Sequence, residues 1–264
     1  MKTLEEYAAI AREAARRAGS FLIENYGSVK EWTCKEEGHY MSEIDKQCND
    51  LYEDFLRRET PEAALYTEEG EQVLESELVW AVDPIDGSTN YRIGLPLFVT
   101  QICLLHKGEP VVAVVNSPIL KMEYTAQKGG GSFLNGKRIA VNGLAELKKI
   151  LLMVDKGHAT AADAGDVLKL FGRQVHTARM WGSVGFELAA LAAGKINALV
   201  GLKMSAFDYA PGALLIREAG GGVMNFSGSD WAAKDIDLVA SNHDLLPFFL
   251  AKLKGWNYDN ARIP

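Results

Sequence analysis

The stretch that most constrains this chain is Leu78-Val79-Trp80-Ala81-Val82-Asp83-Pro84-Ile85-Asp86-Gly87-Ser88-Thr89-Asn90-Tyr91. Its first five residues are apolar, with β-branched and aromatic side chains, and predict a buried strand. The run stops abruptly at Asp83. Pro84 fixes its own φ and biases Asp83 toward extended backbone, and Gly87 permits a turn that other residues resist. The pattern therefore predicts two carboxylates, three residues apart, on a stiff loop at the C-terminal end of a strand, with small hydroxyls directly after them. Hard divalent cations such as Mg²⁺ take oxygen ligands of this kind, from a pair of carboxylates plus water and phosphate. A β-turn in which Asp and Gly serve geometry alone accounts for the same residues equally well.

Acidic groups elsewhere separate the two readings. Glu68-Glu69 follows the short apolar segment Ala63-Ala64-Leu65, and Asp208 opens a nearly wholly apolar helix that runs to Ala219. A carboxylate at the mouth of a helix is commonly a cap. Three sites with one ligand chemistry favour a metal cluster.

Taken together, Glu68-Glu69, the run Asp83 to Asn90, Gly182-Ser183, Asp208 with Gly212, and Glu218-Ala219-Gly220-Gly221 resemble the inositol monophosphatase family, in the same order along nearly the whole chain. The run from Asp83 to Asn90 is specific to that superfamily; Gly182-Ser183 alone carries no signal. The resemblance implies a layered α/β/α/β/α sandwich, an α/β (α+β) fold of the inositol monophosphatase and fructose-1,6-bisphosphatase type, commonly homodimeric. It implies a Mg²⁺-dependent, lithium-sensitive phosphomonoesterase that uses a metal-activated water, with two or three ions per site. Glu68, Asp83 and the carbonyl of Ile85 would hold the first ion, and Asp83, Asp86 and Asp208 the second. Glu69 faces water or braces the site.

Further roles come from the same resemblance. Ser42-Glu43-Ile44-Asp45 has the form of a capping box with Asp at the last position, but the family carries Thr-x-x-Asp here, which makes Asp45 a catalytic candidate. Glu68 and Ser88 join it. Ser88, where the family usually has Thr, would accept a hydrogen bond from the attacking water and be oriented by Asp45. Asp86, Gly87, Ser88, Thr89, Gly182, Ser183 and Asp208 form the substrate-binding set. Ser183 reads from sequence alone as the cap of a helix starting at Val184; both roles are compatible at a helix N-terminus.

The resemblance departs from the family pattern around the substrate. In inositol-specific members an acid shortly before the Asp208 position contacts substrate hydroxyls. Here Leu199 to Phe207 contains no carboxylate and is about two residues longer, Phe207 replaces Trp, and Pro211 replaces Ala. Pro211 is expected in the first turn of its helix, where it is tolerated. Inositol monophosphate or a related sugar phosphate is the primary reading. Fructose 1,6-bisphosphate, a 3′(2′),5′-bisphosphate nucleotide and histidinol phosphate are the alternatives, with a non-catalytic regulatory protein of the same fold as a further one. Lys203 is a candidate for a second anionic group or a solvated lysine, and Arg179 for phosphate steering or a surface ion pair.

Bulk properties bound the reading. The chain has 264 residues, enough for one large domain or two small ones. A soft boundary is expected near Val141 to Lys149, dividing an N-terminal α+β part (1–145) that carries most metal ligands from a C-terminal α/β part (146–264) with Asp208 and the substrate pocket. Net charge of −7 argues against nucleic acid as a partner. The longest apolar run is too short to span a bilayer, and the N-terminus lacks the pattern of a signal peptide. Cys34, Cys48 and Cys103 have no metal spacing, and an odd count argues against a disulfide framework. The expectation is a cytoplasmic protein with a small phosphorylated substrate.

Three other chemistries are rejected. Gly131 to Arg138 approaches a P-loop, but Arg138 stands where Ser or Thr is required, and Asn135-Gly136 is a two-residue hairpin turn. No Gly-x-Ser-x-Gly elbow occurs, and the five histidines lie far apart in sequence.

Along the chain, helical spacing predicts a first helix from Leu4 that stops at Gly27, then irregular chain from Trp32 to Tyr40 with a turn at Gly38. A second helix from Ser42 to Thr60-Pro61 places Ile44, Cys48, Leu51 and Phe55 on one face. Strands and hairpins follow to Ala126, and strands alternate with helices beyond Ile150. Trp256 to Pro264 reads as a tail.

Overall fold

The computed structural model describes residues 2–27 and 43–256, with the backbone of two short strands between them. The first helix, α1 (Leu4–Asn25), opens on a capping box: Thr3 Oγ1 accepts from Glu6 N–H at 3.2 Å and the Glu6 carboxylate accepts from Thr3 N–H at 2.7 Å. Next come β1 (Thr33–Glu36) and β2 (His39–Met41), an antiparallel pair where the sequence predicts irregular chain. Polar strands without alternation carry no periodic signal, and backbone pairing alone defines them. The turn expected at Gly38 and the cap at Ser42 lie outside the described residues.

The chain continues through α2 (Glu43–Glu59), β3 (Ala64–Thr67), β4 (Leu78–Asp86), α3 (Ser88–Arg92), β5 (Val99–His106), β6 (Glu109–Ser117), β7 (Met122–Gln127), β8 (Gly131–Leu134) and β9 (Lys137–Arg138). Then follow β10 (Leu151–Asp155), α4 (Ala161–Phe171), β11 (Thr177–Arg179), α5 (Val184–Ala192), β12 (Ala198–Gly201), α6 (Ala206–Glu218), β13 (Gly222–Met224), β14 (Leu238–Ser241) and α7 (Leu246–Leu253).

Strands β3 to β9 form a seven-stranded sheet in sequence order, parallel between β3 and β4 and antiparallel thereafter. The hairpins turn at Lys107-Gly108 and, as expected, at Asn135-Gly136, each with positive φ at both residues. A second sheet has the order β11-β10-β12-β14-β13, with β10 parallel to both its neighbours.

The period-2 alternation of the strands distributes side chains between cores. Leu78, Trp80 and Val82 of β4 pack with α1 and α2, whereas Val79 and Ala81 pack with α5 and α6. In β10, Met153 joins that central core while Leu152 and Val154 join α4 and α7 on the far side. Two helices, a sheet, two helices, a sheet and two helices are thus stacked as the layered sandwich the sequence implies.

Close approach sets the layer spacing. A Cβ on Gly212 of α6 would lie 2.4 Å from Leu188 of α5, so the two central helices cross where one side chain is missing. One helix face needs correcting. Leu51 is 41% exposed, and the buried face of α2 runs instead through Asp45, Cys48, Asn49, Tyr52, Phe55 and Leu56. Polar members of that face find partners inside, as Tyr52 Oη does with Thr100 Oγ1 at 2.7 Å, so an apolar stripe alone misjudges the orientation. Of the expected tail, Trp256 packs edge-on against Phe226 with ring centroids 6.3 Å apart, and the remainder lies outside the described residues. No described helix is long and apolar enough to cross a membrane.

Candidate active site

Strand β4 does not stop at Val82. It continues through Pro84 to Asp86, and all nine of its residues are buried. The expected loop is a bulged strand: Asp83 pairs with Gln101 and Asp86 with Val99, so three steps on β4 match two on β5. In a regular strand, residues three apart face opposite sides. The extra residue restores Asp86 to the face of Asp83, which is also the face of Val79 and Ala81, toward α5 and α6. Proline is compatible with a strand at such a bulge because no ladder hydrogen bond is required of it there.

The parallel register of β3 and β4 adds the third acid. Thr67 lies opposite Val82, and Glu68 N–H donates to Val82 O at 3.1 Å, so Glu68 emerges beside Asp83. Asp83 Oδ1 accepts from Ile85 N–H at 3.0 Å, which folds the bulge around its own carboxylate. Gln101 Nε2 reaches Asp208 O at 3.2 Å and Asp83 Oδ2 at 3.4 Å, tying the strand to α6.

Two helix N-termini close the arrangement. The Asp86 carboxylate accepts from Val184 N–H (3.1 Å), Gly185 N–H (2.7 Å) and Ser183 Oγ (2.6 Å). Ser183 therefore occupies the N-cap position of α5 without capping it, and Asp86 from the other sheet does so instead. Gly185 allows this approach, since a Cβ there would meet Gln101 Oε1 at 2.3 Å. Helix α6 begins two residues earlier than expected, at Ala206. Asp208 sits in its first turn, and its carboxylate accepts from Ser205 N–H at 2.7 Å. Pro211 consequently lies inside the helix rather than in its first turn, where its ring nitrogen leaves the carbonyl of Phe207 without the usual helical donor.

These residues open on one cleft of about 600 Å³. Glu68, Asp83, Ile85, Asp86, Gly87, Ser88, Thr89, Gly182 and Asp208 all line it. Ser183 is reached through its bond to Asp86, and the Ser88 hydroxyl donates to Ile85 O at 3.0 Å. Asp45 is buried in the first turn of α2; burial pushes the nearby Cys48 thiol up, and the charges of Asp45 and Asp83 push it further. Asn90 fastens the cleft rim by donating from Nδ2 to Leu97 O (2.7 Å) and Trp181 O (2.6 Å). Gly87, at φ +90°, turns the chain between these contacts. Arg179 and Lys203 are exposed and do not line the cleft.

The electrostatics are one-sided. Burial pushes the Asp83 carboxyl well above the usual carboxylate range, and Glu68, Asp86 and Asp208 push it further. Asp86 is pushed up to about 7 by burial, against the pull of its Ser183 and backbone donors. Asp208 is raised by burial and by Glu68. Lys156 is the one lysine or arginine among the lining residues. Buried carboxylates that repel one another are stable when neutralised by protons or by a cation. The donor set, oxygen throughout, fits a hard divalent ion in kind. Among the described residues no three metal-binding side chains converge closely enough to hold an ion as they stand. Asp86 and Asp208 are turned to helix N-termini instead.

Several lining or supporting residues escape a sequence reading. Asp155 ends the apolar run Leu151-Leu152-Met153-Val154, the same signal that singles out Asp83, and it lines the cleft. Gln101 and Glu187 are polar residues within apolar segments. Glu187 is fully buried, accepts from Trp181 N–H at 2.6 Å through Oε1, and is raised far above its usual range by burial and then by Asp155.

The inositol monophosphatase family model matches residues 3–255. A protein named inositol monophosphatase 3 from Solanum lycopersicum is 32% identical over 262 residues, spanning 95% of this chain and 97% of the relative. Nus factor SuhB from Salmonella typhimurium is 31% identical over 252 residues, spanning 93% and 94%. Among solved structures, Thermotoga maritima IMPase superposes with a TM-score of 0.85 at 27% identity, covering 92% of this chain and 94% of that one. With the layered fold and the cleft already described, these matches make the chain a member of the inositol monophosphatase family.

Proposed function

We propose that this chain hydrolyses a phosphate monoester of inositol or of a related small sugar, with Mg²⁺ as cofactor. One observation carries the reading: Glu68, Asp83, Asp86 and Asp208, from three separate segments, gather in one cleft with little positive charge to balance them. Glu68, Asp83 and the Ile85 carbonyl would hold one ion, and Asp83, Asp86 and Asp208 a second. Bound there, the ions supply neutralisation of phosphoryl oxygens and acidification of a water.

The protein's own groups do the remaining work. Phosphoryl transfer needs chiefly positioning and electrostatics, so no protein nucleophile is invoked. Ser88 accepts a hydrogen bond from the attacking water, and Asp45 orients the serine. The backbone N–H groups of Gly87 and Ser88 receive phosphate oxygens. Gly182 and Ser183 shape the wall at the start of α5, and Thr89 lines the same cleft. The assembly is a homodimer, which sedimentation would test.

The experiment is phosphate release from a panel of phosphate monoesters, with Mg²⁺, with chelator, and with added lithium. Mg²⁺-dependent, lithium-inhibited release from a cyclitol or sugar phosphate is the expected result; release indifferent to Mg²⁺ would sink the reading. A second reading is favoured by the relative named as a Nus factor: a role in binding a protein partner. Asp83→Asn separates the two, since a partner interaction survives it and phosphatase activity does not.

A further inference from the structure

We propose that Asp155 determines substrate specificity by accepting hydrogen bonds from the hydroxyls of a polyol phosphate. The inference rests on the phosphatase reading and deepens it. Asp155 stands at the C-terminal end of β10, a strand with parallel neighbours on both sides, the position at which α/β sheets open ligand crevices. It is the one carboxylate lining the described cleft outside the candidate metal-ligand set.

Its placement is rigid. Oδ1 accepts from Gly157 N–H at 3.1 Å, Leu202 N–H donates to Asp155 O at 2.9 Å, and His158 N–H donates to Lys203 O at 2.9 Å. Gly157, at φ +48°, seals this clamp, because a Cβ would lie 2.4 Å from Leu202 O. A carboxylate held on two locked loops presents its remaining lone pairs into the cleft at little entropic cost on binding.

Location assigns its partner. Asp155 lines the same cleft as Asp86 and Asp208 but stands outside the set proposed to hold the ions and, with them, the phosphoryl group. What lies there is the alcohol portion of the substrate, not the phosphoryl group. A carboxylate accepts only, so the substrate must bring donors, either hydroxyl or ammonium. Lys156 already supplies positive charge beside Asp155, with its Nζ donating to Gly157 O at 3.0 Å. That favours neutral hydroxyls over a second cation. An ester without hydroxyls leaves a buried acceptor unmatched, which is the strong form of discrimination.

The test compares kcat and KM for inositol 1-phosphate, O-phosphoethanolamine and p-nitrophenyl phosphate in the wild type, Asp155→Ala and Asp155→Asn. Asparagine keeps an acceptor for Gly157 N–H, so it carries the test if the alanine variant fails to fold. For inositol 1-phosphate kcat/KM should fall roughly 10- to 100-fold, mainly through KM, and at least about tenfold more than for p-nitrophenyl phosphate. Equal losses on all substrates, a largest loss on O-phosphoethanolamine, or no loss overturns the proposal. Calorimetric binding of a non-hydrolysable inositol phosphonate distinguishes the two levels. If the wild type releases no phosphate, the phosphatase reading falls, while Asp155-dependent binding of the phosphonate still sustains this inference. Binding indifferent to Asp155, or none, overturns it.

Discussion

The helices α5 and α6 aim their N-termini at the same cleft, yet they satisfy them in opposite ways. Helix α6 is served from within: Asp208, in its own first turn, accepts from Ser205 N–H three residues back. Helix α5 is served from across the molecule by Asp86, which lies 97 positions away from Ser183 on the bulge of β4. The local solution is cheap in chain entropy and visible as Ser205-x-x-Asp208. The distant one makes the start of α5 and the bulge a single unit, so a candidate metal ligand is also a structural cap. Stability and activity should therefore be coupled at Asp86 more tightly than at Asp208.

The largest expected effect breaks that coupling directly. Asp86→Ala should lower turnover by at least about 10³-fold and cost ~2 kcal/mol from the lost cap of α5. Asp86→Asn should abolish turnover as fully while keeping most of the stability, because an amide oxygen still accepts from a backbone N–H. Urea denaturation alongside phosphate release checks both; an active Asp86→Asn enzyme would remove Asp86 from the ligand set.

The next effect concerns protons. Asp155, Asp86, Asp83, Asp208 and Glu187 all have carboxyls raised in the folded state, to about 6 for the first and about 7 for the second. A raised acid contributes stability that is full below its unfolded value and is lost as pH climbs through its folded value. In chelator, the melting temperature should thus fall by several degrees as pH rises from about 4 to about 7. Mg²⁺ should raise it more at pH 8 than at pH 5.5, where protons compete for the same oxygens. A flat profile in thermal scans would contradict the assignment of buried, unbalanced carboxylates.

A smaller effect probes the approach of α5 to the sheet. Gly185→Ala puts a methyl against Gln101, which itself holds Asp83 and Asp208, and should cost about 1–3 kcal/mol by overpacking, read as a shift in denaturation midpoint. Smallest is Ser183→Ala. It removes one of three donors to Asp86 and should cost about 1 kcal/mol, with two backbone donors left to hold the carboxylate. If Ser183→Ala proved as damaging as Asp86→Ala, the serine rather than the backbone would be the main restraint.

Much of this was legible beforehand because it is local. The first helix, the hairpin turn at Asn135-Gly136 and the apolar helix carrying Asp208 follow from side-chain period and backbone freedom within a few residues. Hydropathy misplaces Leu51 because the buried face of α2 includes Asp45, Asn49 and Tyr52, which it counts as outward. Asp155 repeats the signal of Asp83, an acid closing an apolar strand, but no second acid follows it to mark it as a ligand.

By itself, the sequence determined the family, the layered architecture and the identity of four of the five acids that line the cleft, since a run as specific as Asp83 to Asn90 constrains local backbone and chemistry together. Tertiary structure alone decided how those acids are used. Whether Asp86 faces the cleft depends on one extra residue in the pairing of β4 with β5, and whether its oxygens are engaged depends on where α5 begins. Both are long-range registers, set by the packing of two sheets around a shared pair of helices, and no window of neighbouring residues encodes them.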